Sequence, residues 1–147
     1  LMEIQRAPAG HFRPVGTQSF GLDHALPGAF DQQPLEVWAA VNACCAAHEI
    51  TRDASWLLEA RRAFAWFLGE NDLAVPVAEP ERGACFDGLH PDRRNANQGA
   101  ESTLAYLGAL SSLARIEVQD RRAPEDIHAA ADRSELRSNL PRMTAGS

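Results

Sequence analysis

Three stretches of the chain place their apolar positions at helical steps. Pro34 has the fixed φ and missing N–H that suit a first helical turn, and Leu35, Trp38, Val41, Asn42 and Cys45 follow at three- and four-residue spacing. They predict a helix over 34–49. Asp53 is a good N-cap for a second helix, in which Trp56, Leu57, Ala60, Ala63, Phe64, Phe67 and Leu68 form a broad apolar face. Gly69 and Asn71 end it. The link of Ile50, Thr51 and Arg52 is short, so the two helices form an antiparallel hairpin. A third helix over 100–115 carries Leu104, Ala105, Leu107, Ala109, Leu110 and Leu113 around most of its circumference. It is expected to be buried on more than one side.

The intervening segments lack such periodicity. Residues 1–30 are punctuated by Pro8, Gly10, Pro14, Gly16, Gly21, Pro27 and Gly28, which predicts loop with a short strand or turn around 12–20. Residues 71–98 contain Pro76, Pro80, Gly83, Gly88 and Pro91 and read as a long irregular connection, the kind of segment that carries function or moves. Pro124 opens a marginal helix over 124–137, since Ile127, Leu136 and a few alanines bury little area. The last residues are expected to be disordered. The fold class is therefore all-α: a hairpin packed on a buried third helix, in a domain over 1–116, followed by a marginal helix and tail over 117–147.

Composition narrows the functions open to this fold. At 147 residues the chain is one domain, and 45% hydrophobic content is enough for a core. Its 20 acidic residues against 14 basic ones give a net charge of −6, which argues against a nucleic-acid partner. No apolar stretch reaches the roughly 20 residues needed to cross a bilayer, so no membrane partner is expected. No signal-peptide pattern begins the chain. Leu1 precedes Met2, and no core-forming element comes before the first polar cluster, which reads as a fragment of a longer protein. Cys44 and Cys45 are adjacent and Cys85 stands apart, so no disulfide framework is implied and the thiols read as reduced, structural and cytoplasmic. Spacing for a metal site and glycine patterning for a nucleotide are both lacking, so neither a metal nor a cofactor is expected.

Three clusters concentrate groups able to bind or transfer protons. Asp31, Gln32, Gln33 and Glu36 surround the start of the first helix, where they either grip hydroxyl groups or cap the helix. Asp87 lies in an Asp-Gly turn between apolar Phe86 and Leu89. Partial desolvation would raise its pKa and fit it for general-acid work, unless the turn is only a turn. Asn95, Asn97, Gln98 and Glu101 crowd the approach to the third helix, with Gly99 permitting close backbone approach. That cluster reads either as a binding loop or as a capping region.

The run from Phe30 to Glu36, the helix end Trp66 to Asp72, the turn Asp87, Gly88, Leu89 and the run from Asn97 to Leu104 occur in that order. Together they resemble the C-terminal part of an α/α-toroid (six-hairpin, glycosidase-like) domain of bacterial carbohydrate-active proteins, many of which go by the name glycosyltransferase. The resemblance covers about 12–113. It implies a ring of helical hairpins with the polar motifs at one mouth, where Asp31, Gln32, Gln33, Asp87, Asn97, Gln98 and Glu101 would meet an oligosaccharide; Asn95 joins them as a binding residue. A closed ring needs about a dozen helices, and this chain supplies three or four. Were the domain hydrolytic, Asp87 would be the acid and Asp31 or Glu101 its partner, about 5 Å away for a retaining mechanism or about 6.5–9.5 Å for an inverting one. The alternative is a noncatalytic sugar-binding or protein-interaction module, inactive alone; a fragment without independent activity would instead expose the helix faces meant for missing hairpins and associate into a homodimer through them.

Overall fold

The computed structural model describes residues 2–17 and 28–138, with side chains described as far as 121. It divides into two compact units, 1–114 and 115–147.

The first unit is built on α1 (Pro34–Thr51) and α2 (Ala54–Ala65), followed by a short 3-10 turn, Trp66–Leu68. Both helix boundaries obey local chemistry. Arg52 takes a left-handed conformation that ends α1, and the Asp53 carboxylate accepts from the Ser55 N–H at 2.9 Å to start α2. Gly69 (φ 110°) stops the 3-10 turn. Buried Asn71 completes that stop, donating to the Trp66 and Val75 carbonyls at 2.9 and 2.8 Å. The connection over 71–98 is ordered by a two-residue antiparallel pair, β1 (Ala78–Glu79) with β2 (Ala84–Cys85). The third helix, α3 (Ala100–Ser138), begins where expected.

The mainly helical class expected from the sequence is what the structure has, and three details of it are corrected. The buried stripe of α1 is Pro34, Val37, Ala40, Val41, Cys44, Cys45 and His48; Val41 and Cys45 are buried as expected, but Trp38 and Asn42 are only half-buried and Leu35 is exposed. Alanine and cysteine are apolar on almost every side of α1, so periodicity alone does not fix its inward face. The helix α3 buries Ala105, Tyr106, Ala109 and Leu113 but exposes Leu104, Leu107 and Leu110, so within the first unit it is covered on one side only. In the second unit the helical backbone runs through Pro124 without the expected fresh start. The expected disorder of the last residues concerns residues mainly outside those described, and the turn expected over 12–20 lies partly outside them.

The core of the first unit joins both helices of the hairpin to α3. Phe67 and Tyr106 have ring centroids 5.4 Å apart, and Phe64 stacks on Tyr106 at 6.0 Å, which ties the end of α2 to α3. Trp38 on α1 meets α3 at Gly108, where a Cβ would stand 2.6 Å from the indole ring. Helices α1 and α3 approach this closely because position 108 has no side chain. All three cysteines are free and buried. Burial pushes the Cys44 thiol up to about 11 and the Cys85 thiol to about 12, as befits inert packing groups. No helix among the described residues is long and apolar enough to cross a membrane.

Candidate functional site

The ends of α1 and α3 meet at one polar pocket of about 390 Å³. Gln33 and Pro34 from the start of α1, Asn95 and Gly99 from the preceding loop, Asp87 from its turn, and Ala100, Glu101 and Ser102 from the start of α3 line it. Both helices begin at this pocket, and a few residues further in Trp38 of α1 meets Gly108 of α3. Four of the residues expected at a shared mouth, Gln33, Asp87, Asn95 and Glu101, are together here.

Asp87 is placed by a β-like bridge. Gln32 and Leu89 exchange backbone hydrogen bonds of 3.0 and 2.9 Å, and Leu89 also bridges to Arg94. Gly88 is required between them, because its φ is 140° and a Cβ would lie 2.2 Å from the Gln32 carbonyl oxygen. The Asp87 carboxylate accepts from the Gly99 N–H at 2.7 Å, from the Asn97 amide and from the Ser102 hydroxyl. It thus caps α3 from a distant loop, and a Cβ on Gly99 would stand 2.9 Å from it. Burial pushes its carboxyl up, but the Ser102, Gly99 and Asn97 donors outweigh burial and hold it below the usual carboxylate range. This reverses the expected raised pKa: Asp87 is an ionised acceptor, not a poised acid.

Four other expected site residues lie outside the pocket lining and are engaged with other groups. Gln32 is fully buried and cannot meet a ligand. Its Nε2 donates to the Ala29 carbonyl at 2.8 Å and to Asp72, while its Oε1 accepts from the Trp66 indole at 2.7 Å. Gln98 donates to Glu79 at 2.9 Å. Asp31 does not line the pocket; its Oδ1 lies 2.9 Å from His90 Nδ1. Asn97 holds Asp87, and its N–H donates to the Asn95 Oδ1 at 2.9 Å.

A second polar cluster, around Asp72, draws its partners from distant parts of the sequence. Asp72 gathers the Arg13 guanidinium (Nε to Oδ2 2.9 Å), the Gln32 amide and His11 (Nε2 to Oδ1 3.2 Å). Burial pushes the Asp72 carboxyl up, and Arg13, Gln32 and His11 bring it below the usual range. Arg13 and Asp72 are distant in sequence, and only the folded chain brings them together. Glu36 bonds back to the Gln33 N–H, so the capping role open to it from the sequence is the one it has. Burial outweighs that bond and raises the Glu36 carboxyl, whose Oε2 is buried without a partner. Among the described residues no group of three or more His, Cys, Asp or Glu side chains is arranged to hold a metal ion.

Compared with known proteins, the chain matches no protein-family model and no curated sequence.

Proposed function

We propose that this chain is part of an α/α-toroid-like domain that binds an oligosaccharide at the pocket where α1 and α3 begin. The observation that carries the reading is the lining of that pocket. Gln33, Asn95, Glu101 and Ser102 offer amide, carboxylate and hydroxyl groups on a rigid base of two helix ends, a set that matches the mixed donor and acceptor pattern of sugar hydroxyls. Supporting the reading, α1 and α3 both begin at the pocket and meet at Trp38 and Gly108, as two inner helices of a ring of hairpins would. Leu35, Leu104, Leu107 and Leu110 remain exposed on those helices, as faces that neighbouring hairpins would cover.

Holding the sugar is favoured over hydrolysing it. A glycosidase needs one carboxyl that keeps its proton at working pH, and the hydrogen bonds on Asp87 favour its charged form. Glu101 is then the free carboxylate of the pocket and accepts from ligand hydroxyls. Isothermal titration with cello-, malto-, manno- and chito-oligosaccharides, beside a reducing-end release assay, tests the reading. Binding without turnover is expected, and Glu101→Gln should weaken it about tenfold, the effect of one charge-assisted hydrogen bond. Turnover, or no binding by any of the four, would overturn it.

A further inference from the structure

The polar pocket also carries a one-sided charge. Asp87 and Glu101 both line it, Gln33, Asn95 and Ser102 supply its other polar side chains, and no basic side chain is among the lining residues. Arg93 and Arg94, which directly precede Asn95, line a different cavity with Leu73 and Val75. There the Arg93 guanidinium donates to Asp92 at 2.7 Å. Arg94 lies 3.5 Å over the Phe86 ring and donates to the Pro76 carbonyl at 2.6 Å.

The helix starts at the pocket offset part of this charge. Each helix N-terminus is worth about half a positive charge, and two full negative charges therefore leave the pocket about one negative. The two carboxylates are not equally available to a ligand. Asp87 accepts from the Gly99 N–H, the Asn97 amide and the Ser102 hydroxyl, which take up most of its lone pairs. Glu101 is exposed in the first turn of α3, and among the described residues nothing bonds to it. One open carboxylate beside a saturated one is too few ligands for a metal ion. It suits an alkylammonium group, which has three donors and no acceptor, with the Gln33 and Asn95 amide oxygens as further acceptors.

We propose that the pocket selects oligosaccharides bearing a free amine, such as chains of glucosamine, with the ammonium group seated on the Glu101 carboxylate. Adjoining hydroxyls meet Gln33 and Asn95. The inference rests on the carbohydrate-binding reading of the pocket and names its ligand class. A hydrogen bond between two charged groups is roughly twice as strong as the one a hydroxyl makes in the same place, so the amine is preferred as well as tolerated.

Cellotriose and the glucosamine trimer of the same linkage differ only in carrying a hydroxyl or an amine beside each anomeric carbon. Isothermal titration of the intact chain at about pH 6, where the amine is protonated, should show about tenfold tighter binding of the glucosamine trimer at about 20 mM salt. At about 1 M salt the two should agree within about twofold, because screening removes the preference and leaves the hydroxyl contacts. Glu101→Gln should bring the low-salt ratio within about twofold. Spermidine, which has ammonium groups and no sugar hydroxyls, should bind at least about tenfold more weakly than the glucosamine trimer. Equal affinity for the two trimers at low salt overturns this inference alone. So does a preference that survives high salt or Glu101→Gln, or spermidine binding as tightly as the glucosamine trimer. Failure of the glucosamine trimer together with all four neutral oligosaccharides overturns the pocket reading, and this inference with it.

Discussion

Gln32 and Gln33 are the same residue one position apart, and the fold gives them opposite uses. Gln32 is sealed among Ala29, Asp72 and Trp66, whereas Gln33 makes no side-chain cap bond on α1 and faces the pocket. The alternation of extended backbone separates them. Around Gln32 the polar groups satisfy one another and hold the N-terminal segment, the α2 end and the bridge together. Around Gln33 they stay open to solvent. Polar side chains in one short run therefore divide into those that make the fold and those left to meet a ligand, and neighbours in the sequence fall on both sides of that division.

The largest test of the contrast is on the sealed side. Asp72→Ala strips the partner from Arg13, Gln32 and His11 at once and should cost about 3 kcal/mol in urea unfolding, as removal of one member of a largely buried ion pair does. Gly88→Ala comes next, since it sets a methyl group against the Gln32 carbonyl at a φ no alanine favours; about 2 kcal/mol is expected from the same measurement. Asp87→Asn removes the carboxylate that caps α3 and should cost about 1 kcal/mol near neutral pH. The folded pKa of Asp87 lies below its unfolded value, so its contribution is present above about pH 4 and lost as pH falls through the folded value. Acid unfolding of Asp87→Asn should therefore be less steep than that of the parent. Gln33→Ala has the smallest effect on stability, within about 0.5 kcal/mol, and should instead weaken oligosaccharide binding. Loss of stability comparable to that of a Gln32→Ala variant would erase the distinction between the two residues.

Much of the scaffold was legible in the sequence. Pro34, Asp53, Gly69 and Asn71 mark helix ends by chemistry that acts within a few residues, and the structure uses each of them so. The inward face of α1 was not legible, because Ala40, Cys44 and Cys45 make a helix whose apolar surface has no sharp edge. Nor was the open face of α3: its leucines mark surfaces able to pack, and periodicity is silent on whether a partner is present. At the site, the crowding of Gln33, Asn95 and Glu101 at helix starts was readable, and these residues share the pocket. The fates of Asp31, Gln32 and Asp87 depend on His90, Asp72 and Gly99, partners that only tertiary structure supplies. Apolar flanks suggested a raised pKa for Asp87, yet three donors reverse the direction.

The central claim is that ligand contact is confined to the open side of this division. Its most direct test is a side-chain amide NMR titration of the intact chain with the best-binding oligosaccharide. The Gln33 and Asn95 amide signals should move in proportion to saturation while that of Gln32 stays fixed. A response centred instead on the apolar pocket beside Cys44 and Trp56, with Gln33 and Asn95 unmoved, would contradict the account.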